Sequence, residues 1–294
     1  PMPPANRRRE AGVGGHGGFR LGYRPELDGL RGLAVLAVMA YHCDLRRVVP
    51  GGFLGVDLFF VLSGFLITAL LLREHQQTGR IHLPRFYLRR ALRLLPALFV
   101  MLAVCCVWAM LRTKPDRAAV IYHAAVLTAC HAANGAAYWS VPMDLLSHAW
   151  SLSLEEQFYV AWPILLVLLL RFGVRPRRIA WLVGTGIAAS ALVRAALWLS
   201  PWPAGALAAT TSLAARADSL LAGCLVGLIA SAGRLPESPG GRRALRAAAG
   251  ASTIFLLLLG IMGRNGASYL VLGGYTAVAA AAAVVVAALM NSPP

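Results

Sequence analysis

Residues 94–111 and 267–290 contain no charged side chain at all. Each run approaches or exceeds the roughly 20 residues an α-helix needs to cross about 30 Å of hydrocarbon. Inside a bilayer every backbone N–H and C=O must be satisfied within its own segment, so such runs have to be helical. A soluble chain of this length could bury a large core, but it would not carry uncharged windows of that extent. With 58% of residues hydrophobic and 14% charged, the fold class is all-α, a polytopic transmembrane bundle of about 8–10 helices. Spans are expected near 27–45, 53–72, 94–111, 158–170 extended backwards, 179–199, 213–233, 247–263 and 267–290. The stretch 118–133 is short and holds His123 and His131, so a re-entrant helix and a full span are both open.

Arginine clusters orient the bundle, because cytoplasmic loops carry excess Lys and Arg. The N-terminal arm, Arg73 to Arg93, Arg171 to Arg178 and Arg234 to Arg246 fall on one side if the N-terminus is cytoplasmic and 118–133 does not cross. Residues 1–24 read as a flexible basic tail with no apolar signal-peptide core, and 25–294 as the transmembrane domain. The net charge of +16 fits topology signalling and contact with anionic lipid headgroups rather than nucleic acid. The five cysteines, Cys43, Cys105, Cys106, Cys130 and Cys224, lack metal-ligand spacing and read as small core residues, and no metal is expected. The chain starts at Pro1 and stops directly after an apolar run, so it is expected to be part of a longer protein.

Against this apolar background the ionisable residues stand out, since a charge at bilayer depth costs at least about 2.5 kcal/mol. Arg31 and His42 are eleven residues apart, which on a helix is three turns plus about 20°, so both share one face about 16 Å apart along the axis. Asp28 lies one turn before Arg31 on that face. Snorkelling of Arg31 and a simple interhelical hydrogen bond of His42 are the structural alternatives. In "GVDLFFVLSGFLIT", Ser63 beside Gly64 favours close helix packing over catalysis, and Asp57 is placed to partner His42 or Arg47. Arg90 and Arg93 share a helix face, suited either to lipid anchoring or to clamping phosphates.

In "SHAWSLSLEEQFYVAWP", Ser153 and Glu156 have the spacing of a capping box. Glu155 has no such explanation and points about 100° away from Glu156, beside His148 and Trp150, a setting suited to a carbohydrate or a polar relay. Arg216 and Asp218 are two positions apart and cannot face each other, so each needs a partner on another helix.

These motifs together, arginine–ten residues–histidine at Arg31 and His42, "FFVLSGFLI", Arg90 with Arg93, "WSLSLEEQFYVAWP" and "RADSLLAGCLVG", resemble the acyltransferase 3 family of integral-membrane O-acyltransferases over roughly Tyr23 to Leu228. The resemblance implies a bundle of about ten helices in the bacterial inner membrane that takes an acyl group from cytoplasmic acyl-CoA, usually acetyl-CoA. The group is delivered to a hydroxyl of a carbohydrate or envelope glycan on the extracytoplasmic side. By the same carry-over His42 is catalytic, Arg31 its companion, and Arg90 with Arg93 serve the donor. Family members normally continue with further helices, and often a fused hydrolase-like domain, so a longer protein is expected. Transfer from a thioester to an alcohol needs a base near neutrality and a positive group for the developing oxyanion. An imidazole has the intrinsic pKa for the first role, and whether it acts as base or acyl carrier stays open. Glu155 is the third catalytic candidate, with Asp28, Asp57, Ser63, Arg216 and Asp218 as supporting polar groups. The alternative is a transporter or channel with Asp28, Arg31, His42, Asp57 and Glu155 as a relay.

Overall fold

A computed structural model describes residues 24–43, 47–136, 139 and 141–291. The basic tail assigned to residues 1–24 lies, apart from Arg24, outside them. Eleven α-helices form among the described residues: α1 Pro25–His42, α2 Gly55–Thr78, α3 Leu83–Arg112, α4 Pro115–Ala129, α5 Ala133–Ala136, α6 Trp150–Arg171, α7 Pro176–Leu199, α8 Gly205–Thr211, α9 Leu213–Ser231, α10 Pro239–Met262 and α11 Tyr275–Met290. A 3-10 segment, Asp144–Ala149, leads into α6, and a π-helical turn, Leu270–Gly274, into α11.

Local chemistry sets these boundaries. Proline sits in the first turn of α1, α3, α4, α7 and α10, where its missing N–H is no loss. Ser212 and Ser238 cap α9 and α10, accepting from the Ala215 and Gly241 amides, and Gly79 closes α2 in the left-handed conformation at φ 72°, where a side chain would be strained. Pro96 and Pro163 lie inside α3 and α6 without ending them, as membrane helices permit.

Among the described residues seven helices are long and apolar enough to cross a membrane. This is an integral multi-pass membrane protein. The expected first span is not among the seven, because α1 carries Glu26, Asp28 and Arg31 within 18 residues. Of the stretch 118–133, residues 118–129 belong to α4, whose 15 residues reach about 22 Å, short of the hydrocarbon thickness. Helices α3 and α10 begin well before the apolar windows at 94 and 247: Arg90 and Arg93 are helical, as expected, and Arg85, Arg89, Arg242, Arg243 and Arg246 are helical as well.

The core is built on α2 and α9. Their close contact has a steric cause: a Cβ on Gly64 would lie 1.9 Å from the Leu220 carbonyl oxygen, and one on Gly223 would lie 2.0 Å from that of Val61. Only glycine at both crossing points lets the backbones approach this closely, so the packing role expected for the Ser63–Gly64 pair belongs to the glycine. On one side of the pair Phe60, Ile67, Leu154, Phe158, Trp162 and Leu220 form a cluster with α6 and α7. On the other, Val61, Phe65, Ala222, Ala279, Ala282 and Val286 join α11. Helix α10 has no buried residue, and Ile254, Leu257 and Ile261 point outward, as a lipid-facing surface requires. The cysteines are free, and of the five only Cys224 is buried; Cys43 and Cys130, at helix ends, are exposed.

Candidate active site

Helix α6 organises the polar interior by sending successive side chains in different directions. Ser153 and Gln157 face α5: the Ser153 hydroxyl accepts from the Ala133 amide at 3.2 Å, and Gln157 exchanges hydrogen bonds with Asn134 and donates to the His131 carbonyl. Ser153 is therefore not a helix cap. The helix starts three residues earlier, at Trp150, and the capping-box spacing of Ser153 and Glu156 is coincidental. Glu156 instead forms an ion pair with Arg90 of α3 through both carboxylate oxygens, and the Arg90 guanidinium lies 3.1 Å over the Tyr159 ring. Together with the Tyr87 hydroxyl, which donates to the Val160 carbonyl at 2.9 Å, this pair attaches α3 to α6.

Glu155 points a third way. It is buried and accepts from the Ser63 hydroxyl of α2, and the Arg90 and Arg31 guanidiniums are near enough to act on its charge. Arg31 itself stacks over Phe59 at 4.7 Å. Arg31, Ser63, Arg90, Glu155, Glu156 and Tyr159 thus form one polar cluster within the bundle. Arg93, by contrast, is exposed, so the two arginines of the expected pair have different surroundings. Asp28 is exposed on the first turn of α1.

His42 ends α1. Its Nδ1 is 2.9 Å from the Val38 carbonyl oxygen. A carbonyl only accepts, so Nδ1 carries the proton and Nε2 holds the free lone pair. The imidazole lines a cavity of about 560 Å³ shared with Tyr41, Ser147, His148, Trp150, Arg216, Asn265 and Tyr275. A second cavity, of about 250 Å³, runs along α1 and reaches Glu155. Val38, Val56 and Ser151 line both, so the chamber at His42 adjoins the one at Glu155.

Asp57 and Arg216 meet at 2.6 Å, with Ser219 donating to the same Asp57 oxygen at 2.8 Å. Asp57 therefore partners α9, not His42 or Arg47. Asp218 pairs with Arg194 of α7 at 2.8 Å and accepts from Thr276 at 2.7 Å, and Arg194 also donates to the carbonyls of Val271 and Ala215. Arg216 and Asp218 each find a partner on another helix, as their spacing requires. Of the five residues of the alternative relay, Asp57 is bound to Arg216, Glu155 to Ser63, and Asp28 is exposed.

A family model described as an acyltransferase domain matches residues 24–293. The chain belongs to this acyltransferase family. The peptidoglycan O-acetyltransferase OatA of Listeria monocytogenes serovar 1/2a is 32% identical over 250 residues, covering 81% of this chain and 39% of that protein. The O-acetyltransferase OatA of Staphylococcus aureus strain NCTC 8325 is 38% identical over 168 residues, covering 53% and 27%. The chain therefore spans well under half the length of these curated relatives. No solved structure matches it at a significant level.

Within this acyltransferase domain two site residues escaped the sequence reading. Arg194 lies inside an expected span and is fully buried; a lone cation at that depth was itself the signal. His148, named there only as a neighbour of Glu155, lines the same cavity as His42. It is set in place by the 3-10 segment, which Arg117 of α4 anchors through a bidentate pair to Asp144 at 2.8 and 3.0 Å.

Proposed function

We propose that this domain transfers an acyl group, acetyl by likeness to the O-acetyltransferases above, from acyl-CoA on the cytoplasmic side to a hydroxyl of an envelope glycan on the opposite side of a bacterial inner membrane. The observation that carries this reading is the His42 imidazole: its tautomer is fixed by Val38, and it lines a cavity that adjoins a second one reaching Glu155. In this reading the N-terminus is cytoplasmic, which puts the Arg31 end of α1 inward and His42 outward. Acyl-CoA enters from the side where α2 ends and α3 begins. The exposed Arg93 contacts its phosphates, while Arg90, turned inward to Glu156, joins Arg31 in guiding the donor's pantetheine arm towards the His42 cavity. The acceptor hydroxyl approaches from the outer cavity, and Nε2 of His42 takes its proton. Trp150 and Tyr41 give that cavity the flat apolar faces on which sugar rings stack.

The donor side is tested by coenzyme A titration of the detergent-solubilised full-length protein. Arg93→Gln is expected to weaken binding about tenfold, the loss of one charge-assisted hydrogen bond, and the difference should narrow as salt is raised. Unchanged affinity at low salt would leave Arg93 with lipid anchoring alone.

A further inference from the structure

One group in the outer cavity has no part in the transfer as described. Arg216 is 2% exposed, and its Nη2 is bound to Asp57, yet its Nε and Nη1 have no hydrogen-bond partner. Burial of unpaired guanidinium donors is unfavourable, so the site is poised for an acceptor atom. The Tyr275 ring lies 3.8 Å from the guanidinium carbon and fixes its plane. Tyr275 and Tyr41 line the same cavity, and the Tyr41 ring meets His42 edge-on at 5.3 Å. Arg216 and His42 are thus on walls of one chamber, together with both tyrosines.

Charge balance narrows the class of ligand. Asp57 and Asp218 are matched one to one by Arg216 and Arg194. A ligand carrying a full charge would upset this neutral set, whereas a neutral carbonyl would satisfy the unpaired donors. A carbonyl that gains negative charge only as it reacts would satisfy them best in the transition state, the condition for catalysis rather than mere binding.

We propose that the unpaired donors of Arg216 hold the acyl carbonyl oxygen and stabilise the oxyanion formed during transfer. The proposal rests on the acyl-transfer reading above. The acceptor oxygen bonds to the acyl carbon as its proton passes to Nε2 of His42, and the carbonyl π pair moves onto the oxygen facing Arg216. The intermediate then collapses: the C=O bond reforms, the C–S bond breaks, and the thiolate leaves with the proton from His42. Thioester and alcohol become ester and free coenzyme A, with no other reactant needed.

Three variants of the full-length protein test this, each with its melting temperature, acetyl-CoA affinity and kcat. Asp57→Asn with Arg216→Gln removes both charges together and leaves none uncompensated. It is expected to keep donor affinity within about twofold and to lose about 10²- to 10³-fold in kcat, the usual effect of removing an oxyanion donor. Asp57→Asn alone keeps the guanidinium and should retain at least about tenfold more activity than the double variant. Arg216→Lys, which preserves the charge opposite Asp57, should still lose at least about tenfold, because an ammonium cannot reproduce the fixed guanidinium fork. The proposal is overturned if the double variant turns over within about threefold of wild type, or if Asp57→Asn alone loses as much as the double variant. Should the double variant fail to fold, wild-type turnover in Arg216→Lys overturns it. A wild-type protein that transfers no acyl group refutes the acyl-transfer reading instead.

Discussion

His42→Ala is expected to reduce acyl transfer by about 10² to 10⁴, the range contributed by a positioned general base, while membrane insertion and melting temperature stay near wild type. The separation of the two effects follows from geometry. His42 is exposed at the end of α1 and its Nδ1 hydrogen-bonds Val38 in its own helix, so truncating it breaks a bond within α1 rather than one that ties two helices together. The same bond forces the proton onto Nδ1 and leaves Nε2 basic. His42→Asn would keep a donor for Val38 without restoring a base and should be equally inactive. Turnover and thermal melting of both variants check this. Near wild-type turnover in His42→Ala would remove the proposed base.

Arg194→Ala is expected to have the largest effect on stability. Arg194 and Asp218 are both fully buried, and the guanidinium also meets Thr276 and the carbonyls of Val271 and Ala215. Truncating it leaves a carboxylate in the core without its counter-charge, which costs about 3–5 kcal/mol when one partner of a buried pair is removed. Asp218→Leu combined with Arg194→Met removes both charges and should recover most of that loss, since a buried pair often breaks even against apolar residues of similar volume. Unfolding of the single and double variants in the same detergent measures both. A single variant as stable as wild type would mean that Arg194 is not what keeps α7, α9 and α11 together.

The membrane spans were legible because lipid imposes a length and a charge rule that single residues obey. The same rule misled at the ends of α3 and α10, where arginines belong to helix that runs on past the apolar window. Pairing between helices was much less legible. Arg216 and Asp218 announced that each needed a partner, but nothing local could say that these were Asp57 and Arg194, 159 and 24 positions away. Glu156 shows how a local rule can mislead: Ser153 has the right spacing for a capping box, yet the helix already begins at Trp150, and Glu156 reaches across to Arg90. The shared face of Arg31 and His42 was readable from helical periodicity alone. The cavity beside it was not, because α8, α9, the 3-10 segment before α6 and the loop after α10 all line it.

The most direct test of the central claim is vectorial transfer. The full-length protein is reconstituted into sealed vesicles with its arginine-rich ends facing the lumen, with labelled acetyl-CoA enclosed and a hydroxyl-bearing glycan acceptor outside. The account predicts label on the outer acceptor, dependent on His42, and release of coenzyme A into the lumen. Label that reaches the acceptor only when acetyl-CoA is supplied on the same side, or transfer that persists in His42→Ala, would contradict it.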